Sequence, residues 1–150
     1  MLFDPRSERR LQRRQRKLAQ AIALADQLGA VLDRITSGWC QGSFNRPVYE
    51  LIPADAPAGD RLFLRFFLRR DYCIAGAIRD VVERSNDRQR LYRYIARLLP
   101  ASEELDNTAI SQIIGYNDED GRAHNEVIDF LRYAKARAAA NAQLLLERGA

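Results

Sequence analysis

The sequence predicts a mainly α, compact, single-domain fold of about five helices, with a small irregular or β insert between helices one and two. Three observations carry that expectation. Apolar residues recur at three- and four-residue spacing over several separate stretches, which is the period of a helix with one buried face. Clusters of Gly, Pro, Asn and Asp punctuate the chain between those stretches. A chain of 150 residues that is 47% hydrophobic and 29% charged is long and apolar enough to bury about two-thirds of its unfolded surface in one core. No internal repeat or composition break divides it, so residues 1–150 read as one domain.

The first helix spans about 7–35, through Leu11, Leu18, Ile22, Ala25, Leu28, Leu32 and Ile35. Its start, about 6–17, is polar nearly all round, so that part is expected to project beyond the core. Gly38-Trp39-Cys40-Gln41-Gly42 closes the helix and begins a turn. The insert, about 43–70, has the poorest pattern. Val48 to Ile52 reads as a short strand, residues 53–59 as a loop, and the run Leu62 to Leu68 as a strand or a helical turn. Helical spacing then returns. Asp71 is placed to cap a helix over about 72–84, with Ile74, Ala77, Ile78, Val81 and Val82 on its buried face. Asn86 or Asp87 opens the next, which carries Leu91, Tyr94, Ile95, Leu98 and Leu99 and stops before Pro100. A short helix over 108–116 follows, then a turn over 117–121. A long final helix covers about 124–147 through Val127, Ile128, Leu131, Ala134 and Ala138.

Most of the unusual chemistry falls in three short signatures. They are Gly38-Trp39-Cys40-Gln41-Gly42, Cys73-Ile74-Ala75-Gly76-Ala77, and Tyr116-Asn117-Asp118 with His124 close behind. The single Trp, both Cys and the single His all lie in or beside them. Gly-Trp-x-Gln-Gly, then Cys-x-x-Gly-Ala opening a helix, then Trp or Tyr before Asn-Asp, resembles a family of small bacterial and phage proteins catalogued as a domain of unknown function. The resemblance covers roughly residues 18–138. It departs at Tyr116, where Trp is expected, and around Phe66-Phe67. It implies a compact, mainly helical fold and a phage or mobile-element origin, and it carries over no catalytic residue.

Two functional readings compete. Cys73 near a helix start has a setting that lowers a thiol pKa. With His124 as general base, Asn117 or Asp118 as orienting group and Gln41 as oxyanion donor, it completes the parts of a cysteine-dependent hydrolase or acyl-transfer enzyme. The plain reading makes Cys73 a small packing residue and Gln41 a ligand of backbone groups. The second functional reading starts from Arg6, Arg9, Arg10, Arg13, Arg14, Arg16 and Lys17, seven cations against the single acid Glu8. Arg6, Arg10, Arg13 and Lys17 share one stripe, which suits a phosphate backbone, an acidic protein surface, or a solvated face. The preferred expectation is a non-enzymatic accessory or interaction protein that binds a protein or nucleic-acid partner through this helix.

The rest of the composition narrows the class. One His and no Cys-x-x-Cys pair leave a zinc site without its usual ligands, so neither metal nor cofactor is expected. No apolar run approaches the roughly 18 residues of a membrane span. Met1-Leu2-Phe3-Asp4-Pro5-Arg6 lacks the apolar core of a secretory signal, so a cytoplasmic location and free thiols are expected. The sequence sets no oligomeric state.

Overall fold

The computed structural model describes residues 5–47, 54–55, 57–58, 70–100 and 108–148. Among these residues the protein is built from five helices and two short strands. In chain order they are α1 (Pro5–Ser37), β1 (Asn45–Pro47), β2 (Arg70–Tyr72), α2 (Ile74–Val81), α3 (Ser85–Ala96), α4 (Ala109–Asp118) and α5 (His124–Glu147). The expected strands at 48–52 and 62–68 lie outside the described residues, as do Pro53, Ala56 and Gly59 of the expected loop.

The largest helix pairing is between α1 and α5. The two run antiparallel: Ile35, near the end of α1, meets His124 at the start of α5, and Gly29 lies beside Lys135 further along. The core fills the space between this pair and the shorter helices. Leu28, Val31 and Ile35 of α1 meet Ile74 and Ile78 of α2, Leu91 and Ile95 of α3, Ile113 of α4, and Val127 and Leu131 of α5. Ala134 and Ala138 keep the outer part of the seam narrow, and Tyr94 Oη donates to the Ala134 carbonyl at 3.1 Å, tying α3 to α5.

Several boundaries differ from expectation. Helix α3 opens at Ser85 with Arg84, not Asn86 or Asp87, at its N-cap, and it ends at Ala96, before Leu98 and Leu99. Three further differences each have a local reason. Cys73, not Asp71, is the N-cap of α2: its backbone is extended and its Sγ accepts from the Gly76 N–H. Asp71 is held in β2, whose register against β1 pairs Asn45 with Tyr72, Arg46 with Asp71 and Pro47 with Arg70. The same helix stops at Val81, because Val82 turns to extended backbone. Asn117 and Asp118 are the last residues of α4 rather than a turn; the turn begins at Glu119 and passes through Gly121 at positive φ. The start of α5 agrees with expectation, and Glu126 reaches back to accept from the Ala123 N–H at 2.7 Å.

The apolar line of α1 is also shifted. Leu11 is 49% and Ile22 47% exposed, so the expected stripe fails at those two, while its Leu28 and Ile35 are fully buried and its Ala25 and Leu32 pack against the core. The buried line runs through Ala21, Leu24, Leu28, Val31 and Ile35.

Candidate functional site

The three signatures converge on one side chain. Asn117 is fully buried, the only buried polar residue among those described. Its Oδ1 accepts from Trp39 Nε1 at 2.8 Å and from the Ile74 N–H at 3.2 Å. Its Nδ2 donates to the Cys40 carbonyl at 3.0 Å and to Asp118 Oδ1 at 2.7 Å. Two acceptor sites and two N–H groups are the whole capacity of a carboxamide, and all four are used.

The position of that amide follows from the strands beside it. Trp39 and Tyr72 form an isolated parallel bridge, with Tyr72 N–H on the Gly38 carbonyl and Cys40 N–H on the Tyr72 carbonyl. The next ladder bond would join Ile74 N–H to the Cys40 carbonyl. Instead the Asn117 amide sits between those two groups and bonds to each, as a third strand's peptide would. A buried amide wedged there pairs both the Ile74 N–H and the Cys40 carbonyl, which would otherwise lose their ladder partners.

Gln41 closes the arrangement from outside. Its Nε2 donates to the Asn117 carbonyl at 3.1 Å and the Glu119 carbonyl at 3.2 Å, satisfying orphan carbonyls at the end of α4. The Gly42 N–H donates to Asp118 Oδ1 at 3.0 Å. Two glycines are required by close approach. A Cβ at Gly38 would overlap the Asp71 carboxylate, and one at Gly76 would overlap the Phe44 carbonyl oxygen.

The four candidate catalytic residues are therefore gathered into one region, each held there by at least one hydrogen bond. Both amide hydrogens of Gln41 are spent on carbonyls. His124 Nε2 lies 2.7 Å from the Ile35 carbonyl, which only accepts, so that nitrogen carries a proton. The imidazole stacks on Trp39 with centroids 5.8 Å apart. Cys73 is buried, and burial pushes its thiol up rather than down, outweighing the hydrogen bond from the Gly76 N–H. The helix-start effect expected at this residue is thus overridden by desolvation. Tyr116 faces elsewhere: its ring meets Phe130 at 5.0 Å and the Arg122 guanidinium at 4.0 Å.

Arg122 and the Arg34–Asp80 pair gave no motif signal. Arg122 donates to the Tyr116 carbonyl at 3.1 Å and pairs with Glu119, fixing the turn between α4 and α5. Arg34 pairs with Asp80 at 2.7 Å, joining α1 to α2. Only the spacing of opposite charges could have hinted at either.

A family of unknown function, DUF6197, matches residues 13–137. The chain belongs to that family. The matched span holds all three signatures and the whole Asn117 junction, and it begins inside the basic segment of α1. No curated protein and no solved structure matches the chain.

That basic segment forms the second candidate site. Every residue from Arg6 to Lys17 is exposed. Arg6, Arg10, Arg13 and Lys17 have the same relative spacing as Leu24, Leu28, Val31 and Ile35, displaced by 18 residues, which is about five helical turns. One geometric line along α1 is therefore cationic in its first third and buried apolar core in its last. Twelve residues at the helical rise make a cationic rod about 18 Å long. Among the described residues, no group of His, Cys, Asp and Glu side chains could hold a metal ion, and no helix is long and apolar enough to cross a membrane.

Proposed function

We propose that the protein is a non-enzymatic accessory module that binds nucleic acid along the phosphate backbone through the basic start of α1. The observation that carries the reading is the exposed line Arg6, Arg10, Arg13, Lys17, set in register with the core-facing line of the same helix. The rigid second half of α1 is packed into the body, so it fixes the direction in which the cations point. Preordered arginines lose less freedom on binding than a disordered basic tail would.

Phosphate is favoured over an acidic protein surface by what else the segment contains. Protein interfaces rely on aromatic and apolar anchors. Residues 6–17 offer only Leu11 of that kind, and the remaining neutral residues are Ser7, Gln12 and Gln15, which can donate to phosphate oxygens. The absence of aromatics argues against base stacking and for backbone contact without sequence readout. A cytoplasmic, phage- or mobile-element-associated setting fits a protein that meets nucleic acid and performs no chemistry on it. The buried, fully bonded junction supports the same choice over a hydrolase, since Gln41, Asn117 and Cys73 already serve the fold.

Fluorescence anisotropy with a short labelled DNA duplex and with an RNA duplex over a salt series tests this. Binding is expected to weaken steeply with salt, at a log–log slope of about −3.6 if four phosphates are neutralised. The variant with Arg6, Arg10, Arg13 and Lys17 all changed to Gln is expected to lose that binding. No binding by the native chain at low salt, or binding that the variant keeps, overturns the proposal; capture of an acidic protein that the variant abolishes would reassign the stripe to protein docking.

A further inference from the structure

The junction also holds a chemical capacity that nucleic-acid binding does not use. Cys40 and Cys73 are both free and both buried, at 2% and 5% exposure. Their relation follows from the parallel bridge between Trp39 and Tyr72. In a parallel pairing, the residues that follow a bridged pair are lateral neighbours with side chains on the same face, about 4.8 Å apart. Those residues are Cys40 and Cys73. The two cysteines are the last residues of this pairing: Cys40 N–H still bonds the Tyr72 carbonyl at 3.3 Å and Cys73 keeps an extended backbone, and beyond them the Asn117 amide separates the Cys40 carbonyl from the Ile74 N–H.

The neighbouring side chains agree with this placement. Gly38 and Asp71 precede the bridged pair, and they too meet on one face, where a Cβ at Gly38 would run into the Asp71 carboxylate. Cys40 Sγ lies 3.5 Å from both the Asp71 and the Ser43 carbonyls, which places its thiol between β2 and the turn that follows Cys40. Charge on Cys40 is also felt at Cys73. Disulfides span Cα separations of about 4.4–6.8 Å, a range that includes one strand spacing.

We infer that Cys40 and Cys73 form a redox pair that closes to an intramolecular disulfide and locks the exit of α1 to the N-cap of α2. A small-molecule disulfide such as oxidised glutathione is the oxidant. One cysteine sulfur, as thiolate, attacks a glutathione sulfur and expels the first glutathione. The second cysteine sulfur attacks the resulting mixed disulfide and expels the other. The reagent's S–S bond breaks, one protein S–S bond forms, and the two thiol protons end on two reduced glutathiones. Burial makes both attacks wait for local opening, so closure is slow, while the lateral register favours the closed product at equilibrium. The inference is independent of the nucleic-acid reading.

The test needs no variant. Native chain and urea-unfolded chain are equilibrated in reduced and oxidised glutathione at graded ratios, quenched by acid, and measured by intact mass and non-reducing peptide mapping. The native chain is expected to reach half-oxidation at a ratio several-fold more reducing than the unfolded chain requires. Its product should be a monomer that has lost two hydrogens and carries a Cys40–Cys73 cross-linked peptide. By linkage, the oxidised protein should melt several degrees above the reduced one. A native chain harder to oxidise than the unfolded one overturns the inference. So does a native product that is a glutathione adduct or an intermolecular dimer.

Discussion

At the scale of single residues, Asn117 carries more of the architecture than any other polar group described. Removing its amide strands the Trp39 indole N–H, the Ile74 N–H and the Cys40 carbonyl together. Unpaired buried groups cost about 1–3 kcal/mol each, with partial relief from relaxation. Asn117→Ala is therefore expected to destabilise by about 3–4 kcal/mol in urea unfolding. Asn117→Asp should be no milder. It keeps the acceptor for Trp39, yet loses both donors and sets a charge beside Asp118. An aspartate variant close to wild-type stability would show that the donor side of the amide matters little. Cys73 gives a second expectation at this scale. Because burial raises its pKa, alkylation at neutral pH should be slow, and it should accelerate when the chain is unfolded. Rapid labelling of the folded protein at pH 6 would mean an activated thiolate.

Among the elements, α1 and α2 put opposite demands on their sequences. In α2 the issue is clearance. Ala is preferred over Gly inside a helix by about 1 kcal/mol, so Gly76→Ala should stabilise α2 taken alone. In the folded protein the new Cβ would meet the Phe44 carbonyl, which is backbone and cannot rotate away. The clash is expected to win, with a net loss of about 2 kcal/mol or more and a lower thermal midpoint. In α1 the issue is freedom. The quadruple change of Arg6, Arg10, Arg13 and Lys17 to Gln touches only exposed positions, and Gln, Arg and Lys have similar helix propensity. Its stability should stay within about 0.5 kcal/mol of wild type by thermal unfolding. A large loss would show that these cations hold part of the fold together.

For the whole molecule, the described titratable groups with displaced pKa values point one way on the alkaline side. Cys73, Tyr72, Tyr92, Tyr94 and Tyr116 are all raised, first by burial. A raised folded-state pKa means that the native chain holds these protons where the unfolded chain releases them. Stability from these groups is complete below the unfolded values of 9.0 for the thiol and 10.0 for the phenols, and it falls as pH rises through the folded ones. The urea midpoint is expected to decline steadily above about pH 9, starting with Cys73. A flat profile from pH 8 to 11 would contradict the burial of these groups.

The sequence by itself determined the helical class, the long first and last helices, and the cationic start of α1. Each of these is written in local periodicity and charge, which survive without knowledge of what packs where. The start of α5 was legible for the same reason. The tertiary structure decided the rest. Asp71 has the chemistry of an N-cap, but pairing with β1 keeps it extended and hands that role to Cys73. Asn117 and Asp118 favour turns locally, yet three long-range hydrogen-bond partners for one amide hold Asn117 in the helix. Leu11 and Ile22 fit an apolar stripe by spacing alone, while the core takes Ala21, Leu24 and Val31 beside the expected Leu28 and Ile35. Cys73 stands at a helix start, where the dipole lowers a thiol pKa, but desolvation by the packed core is larger and reverses the sign. A residue's neighbours in sequence set which conformations and charges are available to it. Its neighbours in space supply the burial and the hydrogen-bond partners that choose among them.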